Sequence, residues 1–573
     1  MAGYSVEQHV QIIKLFYENG SSVRATFRAL RPFYGRDDRP AESTIRRLVD
    51  KFESTGCKHD WSLPSITDQN KKLLHHCTTL PLIKLSDDVD KVIENSKAFP
   101  VRFPIETVRL DYLKALRPII RLQRNITSTY PLVHERILIL MAKFLNHKRE
   151  FGSDIEKAFY EDMTVPELID RILKKRALFF VGPHDKYGLL NGEKGRGGWE
   201  EIGTSKEKPP LVLENCLSYD ELKISSMVYV SGYTECINNG ARRNKGVFSN
   251  DAEEEAIIIG LIGPRFVRPG KMDCEDILIT KDQNCPENGY GEKKAGNDFK
   301  KFKADPTSQS IQTAKRNLRE MWAEFYETST PVYSESFFNE IKNKTSQDTD
   351  RYQHVVKGKK VNGIFDNEVY YKRIRVLAEV TLIEAEFRAK ESGKNAFVNV
   401  IGCGLGIWMI SKHQNDAYIL TFLERMSTFL KKDMLNHVTD VNFGYIKCSR
   451  DIEALFKDKS EKAVKKLFLK SKTHPKGGIS AQLENREPSS RLPPAHAGKL
   501  LVLTYPWDSN AQPGNEFWYG KLHTSGDPAA ACSTQVSELH NAHVNPAVSA
   551  PNTRVVDSRG LKTLSDYCLA LTT

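Results

Sequence analysis

The stretch EEEAIIIGLIGPRF, residues 253–266, opens on three carboxylates, runs through an unbroken apolar segment from Ala256 to Ile262 and stops at Gly263-Pro264. A short run of this kind, rich in isoleucine and closed by a Gly-Pro turn signal, reads as a strand buried on both faces. Such strands belong to parallel sheets covered by helices. Outward from it the chain alternates. Strand signals at Ala396–Ile401, Val441–Tyr445 and Lys499–Tyr505 follow helical spacing at Ile311, Leu318, Met321 and Phe325, and at Ile374, Leu377, Thr381, Glu384 and Phe387. The alternation predicts an α/β body built in layers.

The chain has 573 residues, too many for one hydrophobic core, so several domains are expected. A hydrophobic fraction of 40% with 27% charged residues describes a folded globular protein rather than a disordered or fibrous one. Its longest apolar run, Ala256–Gly263, falls far short of the ~20 residues that span a bilayer. The opening residues MAGYSVEQHVQ lack a basic region followed by an apolar one. These features predict no membrane contact and an intracellular protein, nuclear or cytoplasmic. Ten cysteines show neither CxxC pairs nor Cys/His ligand spacing, so no disulfide framework and no metal site are expected. The net charge of +11 favours polyanionic partners, but it is spread along the chain.

Three short amphipathic helices are predicted in residues 1–57. Ser5 and Gln8 form a capping-box pattern before Val6, Val10, Ile13 and Tyr17, a second helix after Ser22 carries Val23, Phe27 and Leu30, and a third runs from Pro40 to Gly56. On the third, Ile45, Leu48, Val49 and Phe52 form an apolar stripe. Ser43, Thr44, Arg46, Arg47 and Lys51 are the candidate DNA contacts, arginine for base edges, serine and lysine for phosphates. A protein-interaction bundle with a solvated charged face fits the same pattern. The runs YSVEQHVQIIKLFYENGSSVRATFRAL and RPAESTIRRLVDKFESTG resemble the helix-turn-helix of mariner-like transposases and their domesticated insect relatives. No strand with paired acidic residues follows Gly56, so DNA binding without transposition is expected. Residues 58–176 read as a mainly helical accessory region, with helical stretches at Pro131–Phe144 and Val165–Lys174, residues 177–550 as the α/β body and 551–573 as a tail.

Two loops at strand ends carry the chemistry. In NVIGCGLGIW, residues 399–408, Gly402, Gly404 and Gly406 follow a strand, with Asn399 within it. They open the backbone toward a diphosphate or form a tight turn, the third glycine standing one residue too early for the dinucleotide fingerprint. The second loop, YPWDSNAQPGNEFWYGKLHTSGDPAAACST, residues 505–534, holds Asp508, Glu516 and Asp527 together with Gly514, Asn515 and His523. Several carboxylates in one excursion can supply a general base or orient a ligand. Asp527, before Pro528, also reads as a helix N-cap. The polar 458–494 segment suggests a mobile insertion beside the site. Earlier, GPHDKYGLLNGEKGRGGWEEIGT, with six glycines between Gly188 and Gly203, needs a tightly turned backbone.

Together, IGLIGPRFVRPGKMD, NVIGCGLGIW and NEFWYGKLHTSGDPAAACSTQVSELHNAHVNP resemble a domain family shared by insects and bacterial effectors, across Leu178–Pro546. An effector branch of that family is similar to macrodomains and removes ADP-ribose from arginine side chains. The resemblance implies a macrodomain-like body with ADP-ribose as ligand or substrate moiety and no other cofactor. It further implies Asp508, Glu516 and Asp527 as catalytic carboxylates, and Asn399, Gly402, Gly404, Gly406, Gly514 and Asn515 as ligand-binding positions. The expected partners are DNA through residues 1–57 and an ADP-ribosylated protein. Two other readings stay open, a non-catalytic reader of ADP-ribose or another nucleotide, and a transposon-derived DNA-binding protein whose body mediates only protein contacts. The hydrolase and reader readings require the GCGLG and carboxylate loops to meet in one cleft.

Overall fold

In a computed structural model of the chain, the residues described are 66–80, 87–291, 306–343, 351–358, 361–456 and 465–572, preceded by residues 12, 15–17, 22–31, 41–43, 45, 46 and 61. A ten-stranded mixed sheet organises the body. Its strands are β1 (Tyr130–His134), β2 (Val228–Glu235), β3 (Glu255–Leu261), β4 (Ala396–Ile401), β5 (Val438–Gly444), β6 (Lys465–Lys470), β7 (Gly478–Leu483), β8 (Leu500–Pro506), β9 (Arg554–Asp557) and β10 (Gly560–Thr563). They lie in the order β6-β7-β5-β4-β8-β3-β2-β1-β9-β10. Neighbours from β7 through β3 are parallel, with β8 between β4 and β3. β2 runs antiparallel to both β3 and β1, and hairpins close the two edges.

The expected strands form where apolar runs are continuous: Ala256–Leu261 and Leu500–Tyr505 are buried without interruption, as both faces of a central parallel strand require. Helix α1 (Glu135–Phe151) follows β1 directly. Helix α2 (Asn367–Ser392) packs across β1, β3, β4, β5, β8 and β9. Asp366 caps its first turn by accepting from the Glu368 and Val369 N–H groups, and Gly393 ends it in the left-handed conformation. α2 buries charges as well as apolar groups. Its Glu384 accepts from Arg388 (2.7 Å), the Tyr130 hydroxyl (2.9 Å) and the Ser231 hydroxyl (2.6 Å). Its Arg373 donates to Asp273 at 3.0 Å. These pairs fix helix to sheet, since loss of one partner strands a buried charge. Helix α3 (His413–Lys431) packs outside α2.

Chain direction places the site. From β4 the chain winds outward to β5 and β7, then returns through β8 to the other side of β4. The C-terminal ends of β3, β4 and β8 therefore stand side by side at the point of reversal, where open α/β sheets take their ligands.

Three sequence expectations change here. Residues 131–134, read as the start of a helix, belong to strand β1, which passes into α1 with no turn between them, His134 serving as the helix N-cap. The sheet also reaches beyond residues 177–550 on both sides, through β1 and through β9 and β10. The 458–494 segment contains the β6–β7 hairpin, paired through Lys465–Leu483 and Lys470–Gly478, rather than a mobile insertion. In the N-terminal region Ser22 caps the helix Val23–Ala29, residues 12, 15–17, 42, 43, 45 and 46 are helical, and Ile12, Phe16, Leu30 and Ile45 are buried.

Candidate active site

The segments that leave β3 and β4 cross at van der Waals contact. A Cβ on Gly263 would stand 2.2 Å from the Cys403 carbonyl carbon, and one on Gly404 (φ +75°) would stand 2.8 Å from the Pro264 oxygen. Only glycine at both positions allows the crossing. Gly404 is thus explained by backbone packing, and Gly402 turns against Leu405, whereas Gly406 has nothing within 4 Å of its Cβ position. The residues flanking these glycines, Ile401 on one side and Ile407 and Trp408 on the other, line two separate cavities.

The carboxylate loop leaves β8 at Pro506 and returns through helix α4 (Gly526–Ala531). Ser525 takes the N-cap position, so Asp527 is not the cap that the sequence suggests. Its carboxylate instead accepts from the Gly514 N–H (3.0 Å) and the Asp508 N–H (3.3 Å), tying both limbs of the loop together. Gly514 presents that N–H from a left-handed conformation, φ +104°. Glu516 accepts from the Ser525 hydroxyl at 2.5 Å. Asn515 donates to Asp508 Oδ2 and pairs with both peptide groups of Phe180. Asp508 Oδ1 is shut off from solvent and has no hydrogen-bond partner.

Burial and neighbouring carboxyls disfavour the charged forms of Asp508 and Asp527. Burial, opposed by Arg265 and reinforced by Glu516, pushes Asp508 up to about 7. Asp527 is raised well above the usual carboxylate range, by burial first and then by Asp508 and Glu516. A carboxyl poised near neutrality can take or give a proton at working pH.

Asp508, Asn515 and Glu516 line a cavity of about 330 Å³ together with Phe180, Arg265 and Trp408. The end of the β4 loop, Ile407 and Trp408, therefore meets the carboxylate loop in one cleft, while Gly402, Gly404 and Gly406 line neither cavity. A larger cavity of about 540 Å³ lies beyond Tyr505 and Gly526, walled by Leu503 and Ala530 and carrying Arg242, Arg243 and Lys447. Asp527 lines neither cavity but touches both walls in sequence and bonding, as the neighbour of Gly526 in the larger and the acceptor of the Asp508 N–H in the smaller.

Asn399 lies in β4 in register with Leu503 and accepts from Asn442 Nδ2 at 2.8 Å, but it lines neither cavity. His523 is exposed, away from the carboxylates' hydrogen bonds. Of the DNA-contact candidates, Ser43 and Arg46 are exposed on helical backbone, while Thr44, Arg47 and Lys51 lie outside the described residues. No group of His, Cys, Asp or Glu among the described residues could hold a metal ion, and no described helix is long and apolar enough to cross a membrane.

Sequence reading missed the cationic wall. Asp185, fully buried at φ +50°, accepts from Arg265 Nη2 (3.1 Å) and from the Tyr219 hydroxyl, and is ion-paired with Arg268 Nη1 (2.8 Å). These residues lie on three separate segments, and no local spacing links them.

Comparison with known proteins settles the family. Residues 90–570 match the family described as ADP-ribosylhydrolase MavL-like. The chain belongs to this family. The match of this ADP-ribosylhydrolase domain takes in all ten strands and both cavities. Residues 5–58, ahead of it, match a helix-turn-helix domain, DUF4817. Among similar proteins, the ADP-ribosylarginine hydrolase CG3568 of Drosophila melanogaster is 38% identical over 509 residues, covering 87% of this ADP-ribosylhydrolase and 92% of the relative. The ADP-ribosylarginine hydrolase CG2909 of the same organism is 34% identical over 487 residues, covering 84% and 89%.

Proposed function

We propose that this ADP-ribosylhydrolase cleaves the bond between ADP-ribose and an arginine side chain of a modified protein. The observation that carries the proposal is the pair Asp508 and Glu516 lining one cavity at the C-terminal ends of parallel strands. The names of the two fly relatives, similar across nearly their whole length, support the arginine linkage.

In the reaction a water oxygen bonds to the anomeric carbon as the bond from that carbon to the guanidine nitrogen breaks. The water gives up a proton and the departing nitrogen gains one, leaving ADP-ribose and unmodified arginine. Positive charge develops on the ribose ring on the way, and carboxylates beside it stabilise that charge. Asp508, ionised, is the base toward the water. Glu516 shares the cavity and faces the departing guanidinium. Asp527 has both oxygens committed to loop N–H groups, so its part is to position Asp508. The nucleotide end lies in the larger cavity, the purine against Leu503 and Tyr505 and the diphosphate toward Arg242, Arg243 and Lys447. Gly406 is the glycine of its loop that leaves room for a phosphate. This division of one ligand between two sites at the strand ends is macrodomain-like.

The helix-turn-helix match over residues 5–58 supports DNA as a second partner through residues 1–57, and on this reading the exposed Arg46 is among the contacts. Hydrolysis is tested by following release of ADP-ribose from proteins modified on arginine and on glutamate. Release from arginine alone, lost in Asp508→Asn, is the expected result. Binding of ADP-ribose without release would make the chain a reader.

A further inference from the structure

The small cavity holds polar atoms that the protein leaves unanswered. Arg265 is only 3% exposed, and its Nη2 is committed to Asp185, yet its Nε and Nη1 have no hydrogen-bond partner. The Phe180 and Trp408 rings flank its guanidinium, with centroids 5.2 and 5.9 Å from the central carbon. Across the same cavity Asp508 Oδ1 is also unpartnered. Buried polar atoms are nearly always satisfied, so unfilled donors and an unfilled acceptor on two residues lining one cavity point to a ligand group that answers both.

The chemistry of the two sides restricts that group. A phosphate only accepts, and Asp508 and Glu516 would repel it. A guanidinium only donates, and Arg265 would repel it. Among the groups that an ADP-ribosylated arginine presents there, a ribose hydroxyl both donates and accepts, so it can bridge a carboxylate and a guanidinium. We propose that Arg265, anchored by Asp185, is a substrate-binding residue that receives a hydroxyl of the ribose attached to the target arginine and holds it against Asp508. This rests on the ADP-ribose reading above and adds to it a residue and a contact. The assignment also gives the Asp185 anchor a purpose. With Nη2 held by Asp185 and the backbone N–H of Arg265 held by Asp273 at 2.8 Å, the two free donors have little freedom to turn away.

Calorimetry on the full chain with ADP-ribose and with ADP, which lacks the second ribose, tests the contact. The wild type is expected to prefer ADP-ribose by about tenfold or more, and Arg265→Gln to lose that preference while binding ADP within about twofold of wild type. Arg265→Lys keeps a cation against Asp185 and so guards the fold, yet it should lose the preference too, its single ammonium being held by Asp185. A preference retained in both variants, or a parallel loss of ADP and ADP-ribose affinity, overturns the assignment. A wild type that binds neither nucleotide defeats the ADP-ribose reading itself and removes the basis of this one.

Discussion

Asn515 gives an N–H to Asp508 Oδ2 at 2.5 Å while its amide oxygen accepts from the Phe180 N–H at 2.8 Å and its nitrogen donates to the Phe180 carbonyl at 3.2 Å. One buried side chain thus fixes both the carboxylate and the strand residue that walls the cavity. Only an amide can donate and accept in this way. Asn515→Asp places a carboxylate against Asp508 and is expected to lower kcat about 10- to 100-fold with a smaller effect on KM, and to move the acid limb of the rate profile to higher pH. Steady-state rates across pH check both; a change in KM alone would make Asn515 a ligand contact instead.

Asp508, at about 7 in the folded protein, must ionise to act as base. The expected profile of kcat/KM falls below about pH 7 with unit slope, and Asp508→Asn loses about 100-fold or more of the rate together with that limb. A flat profile from about pH 5.5 to 8 would remove Asp508 from the proton transfer.

The same shift has a cost in stability. A carboxyl whose folded value lies near 7, above the ordinary 3.8, stabilises the fold when protonated. That contribution is fully present below the unfolded value and is lost as pH rises through the folded one. Asp508→Asn stays neutral, so at pH 8 it should exceed the wild type in stability by roughly 2 to 4 kcal/mol, with little difference near pH 4. Denaturant titrations at the two pH values decide this. Equal stabilities at pH 8 would mean that the folded carboxyl carries its charge without penalty.

Parts of this architecture are written locally and others are not. β3, β4 and β8 are legible because a central parallel strand must be apolar on both faces. β6, with lysine at Lys465, Lys466 and Lys470, looks like a polar linker because an edge strand is protected from further pairing by such charges. β1 hides because it is short and runs directly into α1 with no turn residue between them. The carboxylates 508, 516 and 527 stand out because their loop concentrates them after a strand. Arg265 passes for an ordinary residue after a Gly-Pro turn, and Asp185 for one in a glycine-rich loop. Only tertiary packing brings them together, 80 residues apart.

Asp527 offers a sharper test of positioning against catalysis. Asp527→Ala would leave the Gly514 and Asp508 N–H groups without their acceptor, at about 1 to 3 kcal/mol each. Asp527 is held well above the usual carboxylate range, so it is uncharged where Asp508 titrates and its loss takes no charge from beside Asp508. The variant is therefore expected to be less stable by roughly 2 to 6 kcal/mol, and any activity it retains should keep its acid limb near that of the wild type, unlike Asn515→Asp. Full stability with abolished turnover would contradict the positioning role.

The helix-turn-helix separates from the hydrolase in its response to salt. Phosphate contacts release counterions from DNA, so binding through Arg46 and its neighbours should weaken steeply as salt rises. Arg46 is exposed, with its neighbour Ile45 buried beneath it, so Arg46→Ala removes a charge without opening the core. The variant is expected to reduce the slope of log affinity against log salt by about 1. Release of ADP-ribose should be unchanged, because both cavities lie within residues 180–534. Fluorescence anisotropy on duplex DNA at several salt concentrations measures the slope. If it is unaltered, Arg46 does not touch phosphate, and the contact must be sought elsewhere on the module.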